Sequence, residues 1–140
     1  MSLAGPVVVI DDDRDDQELM QDAFTEIGVT NQLVFFETPE HAIEYLKTTT
    51  DSPFVILSDV NLPQQNGIEF KREIDSTPYL RQKSIPFVFF STYLDKRVVE
   101  MAYHELTIQG FFKKSSKYDE LKNTVRLIME YWKICQHPNS

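Results

Sequence analysis

The sequence predicts an α/β protein built on a parallel sheet, and three observations lead there. Short apolar runs rich in β-branched and aromatic residues, such as Val7-Val8-Val9-Ile10, Phe54-Val55-Ile56-Leu57 and Phe87-Val88-Phe89-Phe90, read as strands buried on both faces. Segments with apolar residues at helical spacing separate these runs, which is the βαβ alternation of a parallel sheet. Polar residues able to do chemistry follow directly after the runs: Asp11, Asp12 and Asp13, then Asp59, then Ser91 and Thr92, then Lys114.

Five βα units can be traced in order. After the first strand, Asp13 is placed to cap a helix in which Leu19, Ala23 and Ile27 share one face, with Met20 and Phe24 beside them, and Gly28 stops it. Leu33-Val34-Phe35-Phe36 is the second strand. Thr38 offers the next N-cap with Pro39 at the first helical position, and Ala42, Ile43 and Leu46 form the apolar face. The third strand leads to Asp59, and a short third helix runs from Gly67 through Ile68 and Ile74, closing before Pro78. Pro86 introduces the fourth strand, and Val98, Met101 and Ala102 line one face of an otherwise polar fourth helix. The fifth strand covers about residues 109–113. Ser116 with Asp119 three residues on matches a capping box for the fifth helix, where Leu121, Val125, Ile128 and Trp132 recur at helical spacing.

Composition narrows the function classes. At 140 residues the chain fits a single domain, 1–140 with its core over about 7–134; a chain of this size buries roughly 68–70% of the surface it exposes when unfolded. No apolar run approaches the ~18 residues needed to span a bilayer, so no membrane contact is expected. The N-terminal residues lack the basic flank and apolar stretch of a secretory signal. The single cysteine, Cys135, leaves no intrachain disulfide, and the cytoplasm is the expected compartment. A net charge of -8 with no basic helix or tail argues against nucleic acid as a partner.

If the first and third strands are neighbours, the acids at their ends converge. Like charges a few ångströms apart raise one another's pKa unless a cation lies between them, and an oxygen-only cluster suits Mg²⁺ or a similar hard ion. Lys114 adds a fixed cation and Ser91 a hydroxyl, whereas Lys113 faces solvent by strand alternation. An open parallel sheet binds its ligand outside the carboxyl ends of the strands, so this set describes a site for an anion such as a phosphoryl group. Asp15, Asp16 and Glu18 read as charge favoured at a helix N-terminus. His41, His104 and His137 have no ligand-spaced partners and read as surface or satisfied residues.

Taken together, Asp11-Asp12, Asp59, Ser91 and Lys114 resemble the receiver domain of the response regulators of bacterial two-component signalling, over about residues 7–132. The most specific segment is Asp59-Val60-Asn61-Leu62-Pro63-Gln64-Gln65-Asn66-Gly67, which is similar to that family's phosphoacceptor loop. The resemblance implies a flavodoxin-like, doubly wound sheet of five parallel strands in the order 2-1-3-4-5. It implies that Asp59 takes a phosphoryl group from a histidine kinase, a histidine phosphotransfer protein or a small phosphodonor. Asp11, Asp12, Asp59 and the backbone carbonyl of Asn61 would hold Mg²⁺, and Lys114 would neutralise charge on the transferring group. Ser91 would bond the phosphoryl oxygen, and Phe111 occupies the aromatic position that turns inward with it. A downstream protein would then read the face made by the fourth helix, fifth strand and fifth helix. Such a chain is a signalling phosphoacceptor and not an enzyme in the turnover sense, although self-phosphorylation and slow autodephosphorylation belong to the type. No output segment is expected after the fifth helix.

Two positions depart from the family pattern. Ser115 follows Lys114 where proline is usual; a cis bond there would cost ~2.5–4 kcal/mol, so a trans bond is expected. Tyr93, two residues past Ser91, stands where the family tunes access of hydrolytic water. A rival reading, a haloacid-dehalogenase-like phosphatase with Asp11 as nucleophile and Asp13 as general acid, leaves the Asp59 to Gly67 loop unexplained.

Overall fold

The computed structural model describes residues 4–62, 66–92 and 95–135. Strands β1 (Val7–Ile10), β2 (Leu33–Phe36), β3 (Val55–Ser58), β4 (Phe87–Ser91) and β5 (Gly110–Lys113) form one parallel sheet in the order β2-β1-β3-β4-β5. Helices α1 (Arg14–Glu26), α2 (Pro39–Thr48), α3 (Gly67–Ser76), α4 (Pro78–Gln82), α5 (Lys96–Glu105) and α6 (Tyr118–Ile134) connect and flank the strands. The chain leaves β1 for β2 on one side and returns to β3 on the other, so the strand order reverses at β1. This is the expected class and the expected order.

Alternation along β1 explains why the strand runs are apolar throughout. Val7 and Val9 join Met20, Ala23 and Phe24 of α1 and Leu121, Val125 and Ile128 of α6 in one buried cluster. Val8 and Ile10 join a second cluster with Ala42 and Leu46 of α2, Ile68 and Phe70 of α3, and Ala102 of α5. Both faces of the sheet are covered, and a polar residue on either would lack water.

Several local signals act as expected. The Asp13 side chain accepts the N–H groups of Asp15 and Asp16 at 2.9 and 3.4 Å, and Thr38 caps α2 with Pro39 in its first turn. Gly28 follows the last turn of α1 at φ +81°, a conformation other residues adopt at a cost.

Three expectations are corrected. Leu19 is 43% exposed; the stripe of α1 that enters the core runs through Met20, Ala23 and Phe24, one residue round the helix from the expected one. Ser116 and Asp119 form no capping box, because α6 starts at Tyr118 after Lys117, with no side-chain cap. Ser115 takes over there: its hydroxyl accepts the Lys117 N–H at 3.1 Å and donates to Glu120 at 2.5 Å. Pro78 ends α3 as expected but also opens the additional short helix α4, which buries Leu80.

Helix α5 is anchored differently from the rest. Ala102 is its one buried residue among those described, with Val98 and Met101 partly buried. Polar ties hold its C-terminal end to α3: Arg72 pairs with Glu105 at 2.5 Å, and Asp75 accepts the Thr107 hydroxyl at 2.8 Å and, more weakly, its N–H at 3.4 Å. Asp75 also pairs with the buried Lys71 at 2.8 Å, whose burial pushes the ammonium pKa down.

Candidate functional site

Strand pairing builds the acidic side of the site. Asp11 extends β1, its N–H donating to the Phe36 carbonyl at 3.0 Å, and Asp59 follows β3 with its N–H on the Ile10 carbonyl at 2.9 Å. One carboxylate oxygen each from Asp11, Asp12 and Asp59 lie within 4.8 Å of one another. Asp11 is buried and Asp12 exposed. The Asp11 Oδ1 accepts the Asp13 N–H at 2.9 Å, which turns the chain from strand into helix.

Strands β4 and β5 bring the other groups. The Lys114 N–H donates to the Ser91 carbonyl at 2.8 Å, continuing the ladder one residue beyond Lys113. Lys113 is exposed and Lys114 buried, as alternation requires. The Lys114 ammonium makes a short ion pair with Asp11 Oδ2 and lies 3.2 Å from Asp16 Oδ2 and 3.5 Å from Asp59 Oδ2. The opposite oxygen, Asp59 Oδ1, accepts the Ser91 hydroxyl at 2.9 Å and the Asn61 N–H at 3.1 Å. Asp59 is thus oriented from three directions, while its side chain keeps 12% of its surface accessible.

Gly67 explains the last position of the loop motif. Its N–H donates to the Val60 carbonyl at 2.7 Å, and a Cβ there would lie 2.3 Å from the Asp59 carbonyl oxygen. The first turn of α3, capped by Asn66, therefore sits directly on the backbone that carries Asp59.

Electrostatics follow from crowding three carboxylates around one ammonium. Burial pushes the Asp11 carboxyl above its ordinary value, against the opposing pull of Lys114. For Lys114, burial alone would lower the pKa; Asp11, Asp59 and Asp16 outweigh it, and the ammonium is held above its usual range. An oxygen-only donor set with surplus negative charge fits a hard divalent cation.

The structure brings together Asp11, Asp12, Asp59, Ser91 and Lys114, all anticipated from sequence. Thr92 is exposed beside Ser91. Phe111 is half-buried on β5 with its ring 5.4 Å from that of Phe89, behind the site and not in it. Pro63, Gln64, Gln65, Tyr93 and His137 lie outside the described residues. All peptide bonds described are trans, including Lys114–Ser115. The residue missed from sequence is Asp16, assigned to helix-terminal charge although it touches Lys114; its only signal was its place in the first turn of a helix that starts at the acidic end of the sheet.

Comparison with known proteins gives a consistent result. A family model described as the response regulator receiver domain matches residues 7–126. The response regulator Rcp1 of Synechocystis sp. is 27% identical over 131 residues, covering 90% of this chain and 87% of that protein. A probable methanogenesis regulatory protein, FilR2 of Methanothrix harundinacea, is 26% identical over 130 residues, covering 90% of this chain and 82% of that protein. Among solved structures, the phosphorylated cyanobacterial phytochrome response regulator RcpA superposes with a TM-score of 0.85 at 28% identity, covering 96% of this chain and 98% of that one.

Proposed function

The chain belongs to the response regulator receiver domain family, and on that premise we propose that Asp59 is its phosphoacceptor. The phosphatase reading is not favoured, because Asp13, its required general acid, uses its carboxylate to cap α1. The observation that carries the assignment is the way Asp59 is held: Oδ1 by Ser91 and Asn61, Oδ2 facing Lys114, with Asp11 and Asp12 adjacent.

Receivers of this family bind a divalent cation at an acidic cluster, and Rcp1 has a Mn²⁺-bound crystal structure. We assign that role here to Asp11, Asp12, Asp59 and the backbone carbonyl of Asn61, with Mg²⁺ as the cation. An ion held there would offset the cluster's negative charge and let phosphoryl oxygens approach a carboxylate. In the transfer, an Asp59 oxygen bonds to phosphorus as the phosphorus–nitrogen bond of a phosphohistidine breaks, and the imidazole leaves with the electron pair and takes up a proton. Lys114 steadies the charge on the phosphoryl oxygens. Ser91 exchanges its bond to Asp59 for one to the new group, and Phe111 follows on the same side of the sheet. The added charge of about -1.5 to -2 is the signal.

Receiver domains act with histidine kinases and downstream proteins. For this chain we place the downstream contact on α5, β5 and α6, the face named above as fourth helix, fifth strand and fifth helix. There Phe112 is 36%, Leu127 55% and Tyr131 59% exposed, an apolar patch of the kind that binds protein. No helix among the described residues is long and apolar enough to cross a membrane. The working picture is a single cytoplasmic receiver domain over residues 1–140 that turns over its own acyl phosphate only slowly.

Intact mass after incubation with acetyl phosphate and Mg²⁺ tests the assignment. The parent should gain one phosphoryl group and Asp59→Asn none. Undiminished labelling of Asp59→Asn would overturn it, and steady turnover of a phosphomonoester would revive the phosphatase.

A further inference from the structure

We propose that Asp16 is a positioning residue for Lys114, setting the direction of the ammonium that meets the incoming phosphoryl group; the inference rests on Asp59 being the phosphoacceptor.

An ammonium has three protons to donate. Lys114 has three carboxylates in reach: Asp11 in the short pair, Asp16 at 3.2 Å and Asp59 at 3.5 Å. The Asp59 contact is the longest, and it is the one a phosphoryl oxygen on Asp59 would replace. Two contacts then remain to hold the lysine. With Asp11 alone, the ammonium could pivot about a single pair; with Asp16 as well, its third N–H is aimed at Asp59.

Local geometry shows why Asp16 is available. It stands third in α1, the position from which a Glu or Gln side chain reaches back to the N–H of the capping residue in a capping box. Here that N–H, on Asp13, is already taken by Asp11 Oδ1 at 2.9 Å. Asp16 is therefore released from capping and turns to Lys114. It is also outside the group of acids close enough to share a cation, which comprises Asp11, Asp12 and Asp59 among the described residues.

Two measurements on the full chain separate this role from others: the rate of phosphorylation by acetyl phosphate at saturating Mg²⁺, and Mg²⁺ affinity by calorimetry. In this reaction an Asp59 oxygen bonds to phosphorus, the phosphorus–oxygen bond to the acetyl group breaks and acetate leaves with the electron pair, so no proton is required of Asp16. Asp16→Ala should be slower by about tenfold, a misplacement effect. Asp16→Asn, which keeps an oxygen at the same reach, should stay within about threefold of the parent. Mg²⁺ affinity should change by less than about threefold in both. In a Lys114→Ala background, Asp16→Ala should cause no further slowing. Should Asp16→Ala fail to fold, Asp16→Ser keeps a polar group at the helix start but is too short to reach the lysine, and is expected to be equally slow. A parental rate in Asp16→Ala, an Asp16→Asn as slow as Asp16→Ala, a parallel loss of Mg²⁺ affinity, or a further loss without Lys114 would each overturn the proposal. Failure of the parent to label at Asp59 is a different result: it removes the phosphoacceptor reading and this inference with it.

Discussion

Gly67→Ala tests whether α3 must rest against the backbone of Asp59. The new Cβ would lie 2.3 Å from the Asp59 carbonyl oxygen and 3.0 Å from both the Phe89 ring and Val60 Cα. Ordinary contact distances are about 3.5–4.0 Å, so relief requires a shift of about 1 Å. Most of what lies in the way is backbone, and it is fixed: Asp59 is tied to Ile10, and Gly67 to Val60 at 2.7 Å. Overpacking of this kind costs about 1–3 kcal/mol. Alanine's better helix propensity recovers little of that, because it applies to helix interiors and Gly67 is the first residue of α3. With an unfolding entropy near 2.1 cal/mol/K per residue, a chain of this length has roughly 0.3 kcal/mol/K in total, so the melting temperature should fall by about 3–10 °C. Calorimetry reads that term, and acetyl phosphate labelling well below the transition reads the site. Gly28→Ala is the control: its Cβ meets nothing within 4 Å, yet its φ of +81° makes alanine unfavourable by about 1–2 kcal/mol. Both variants should melt lower, and only Gly67→Ala should label slowly. A Gly67→Ala protein with the parent's melting temperature and labelling rate would refute the close-approach argument, as would equal slowing in Gly28→Ala.

Asp12→Ala should weaken Mg²⁺ binding by at least about tenfold while leaving stability without Mg²⁺ within ~0.5 kcal/mol, since Asp12 is exposed. Mg²⁺ should accordingly raise the variant's melting temperature less than the parent's at the same concentration, and unchanged affinity would place the ion elsewhere. Lys114 is lowered by burial but raised by more through Asp11, Asp59 and Asp16, so its folded pKa lies above 10.5. Its contribution to stability is then complete below pH 10.5 and lost as pH climbs from there through the folded value; urea unfolding of parent and Lys114→Met across that window should show a steeper alkaline decline in the parent, and equal slopes would refute the pairing.

Much of the site could be read from the chain because a parallel sheet collects its carboxyl ends. Once residues 7–10 and 55–58 are strands, the acids that follow must meet if those strands are neighbours, and pairing in register makes them so. Asp13, Thr38-Pro39 and Gly28 were readable for a different reason: capping chemistry is local. What escaped depends on neighbours distant in sequence. Stripes through Leu19 and through Met20 are adjacent on one helix, and packing against α6 decides between them. Ser115 displaced Ser116 because Glu120 lay within its reach. Asp16 looked like any acid in a first turn, since its partner is 98 residues away.

The polar fastening of α5 bears on how the molecule opens locally. A helix that invests one alanine fully in the core loses little apolar burial when it lifts, and its surface pair Arg72–Glu105 is worth at most about 1 kcal/mol and weakens in salt. Amides of α5 should therefore exchange with solvent through partial opening, far below the free energy that protects β1 and β3, whose residues are buried throughout. The fold thus seats its chemistry on fully buried strands and places beside it a helix whose local opening costs little while the sheet stays closed.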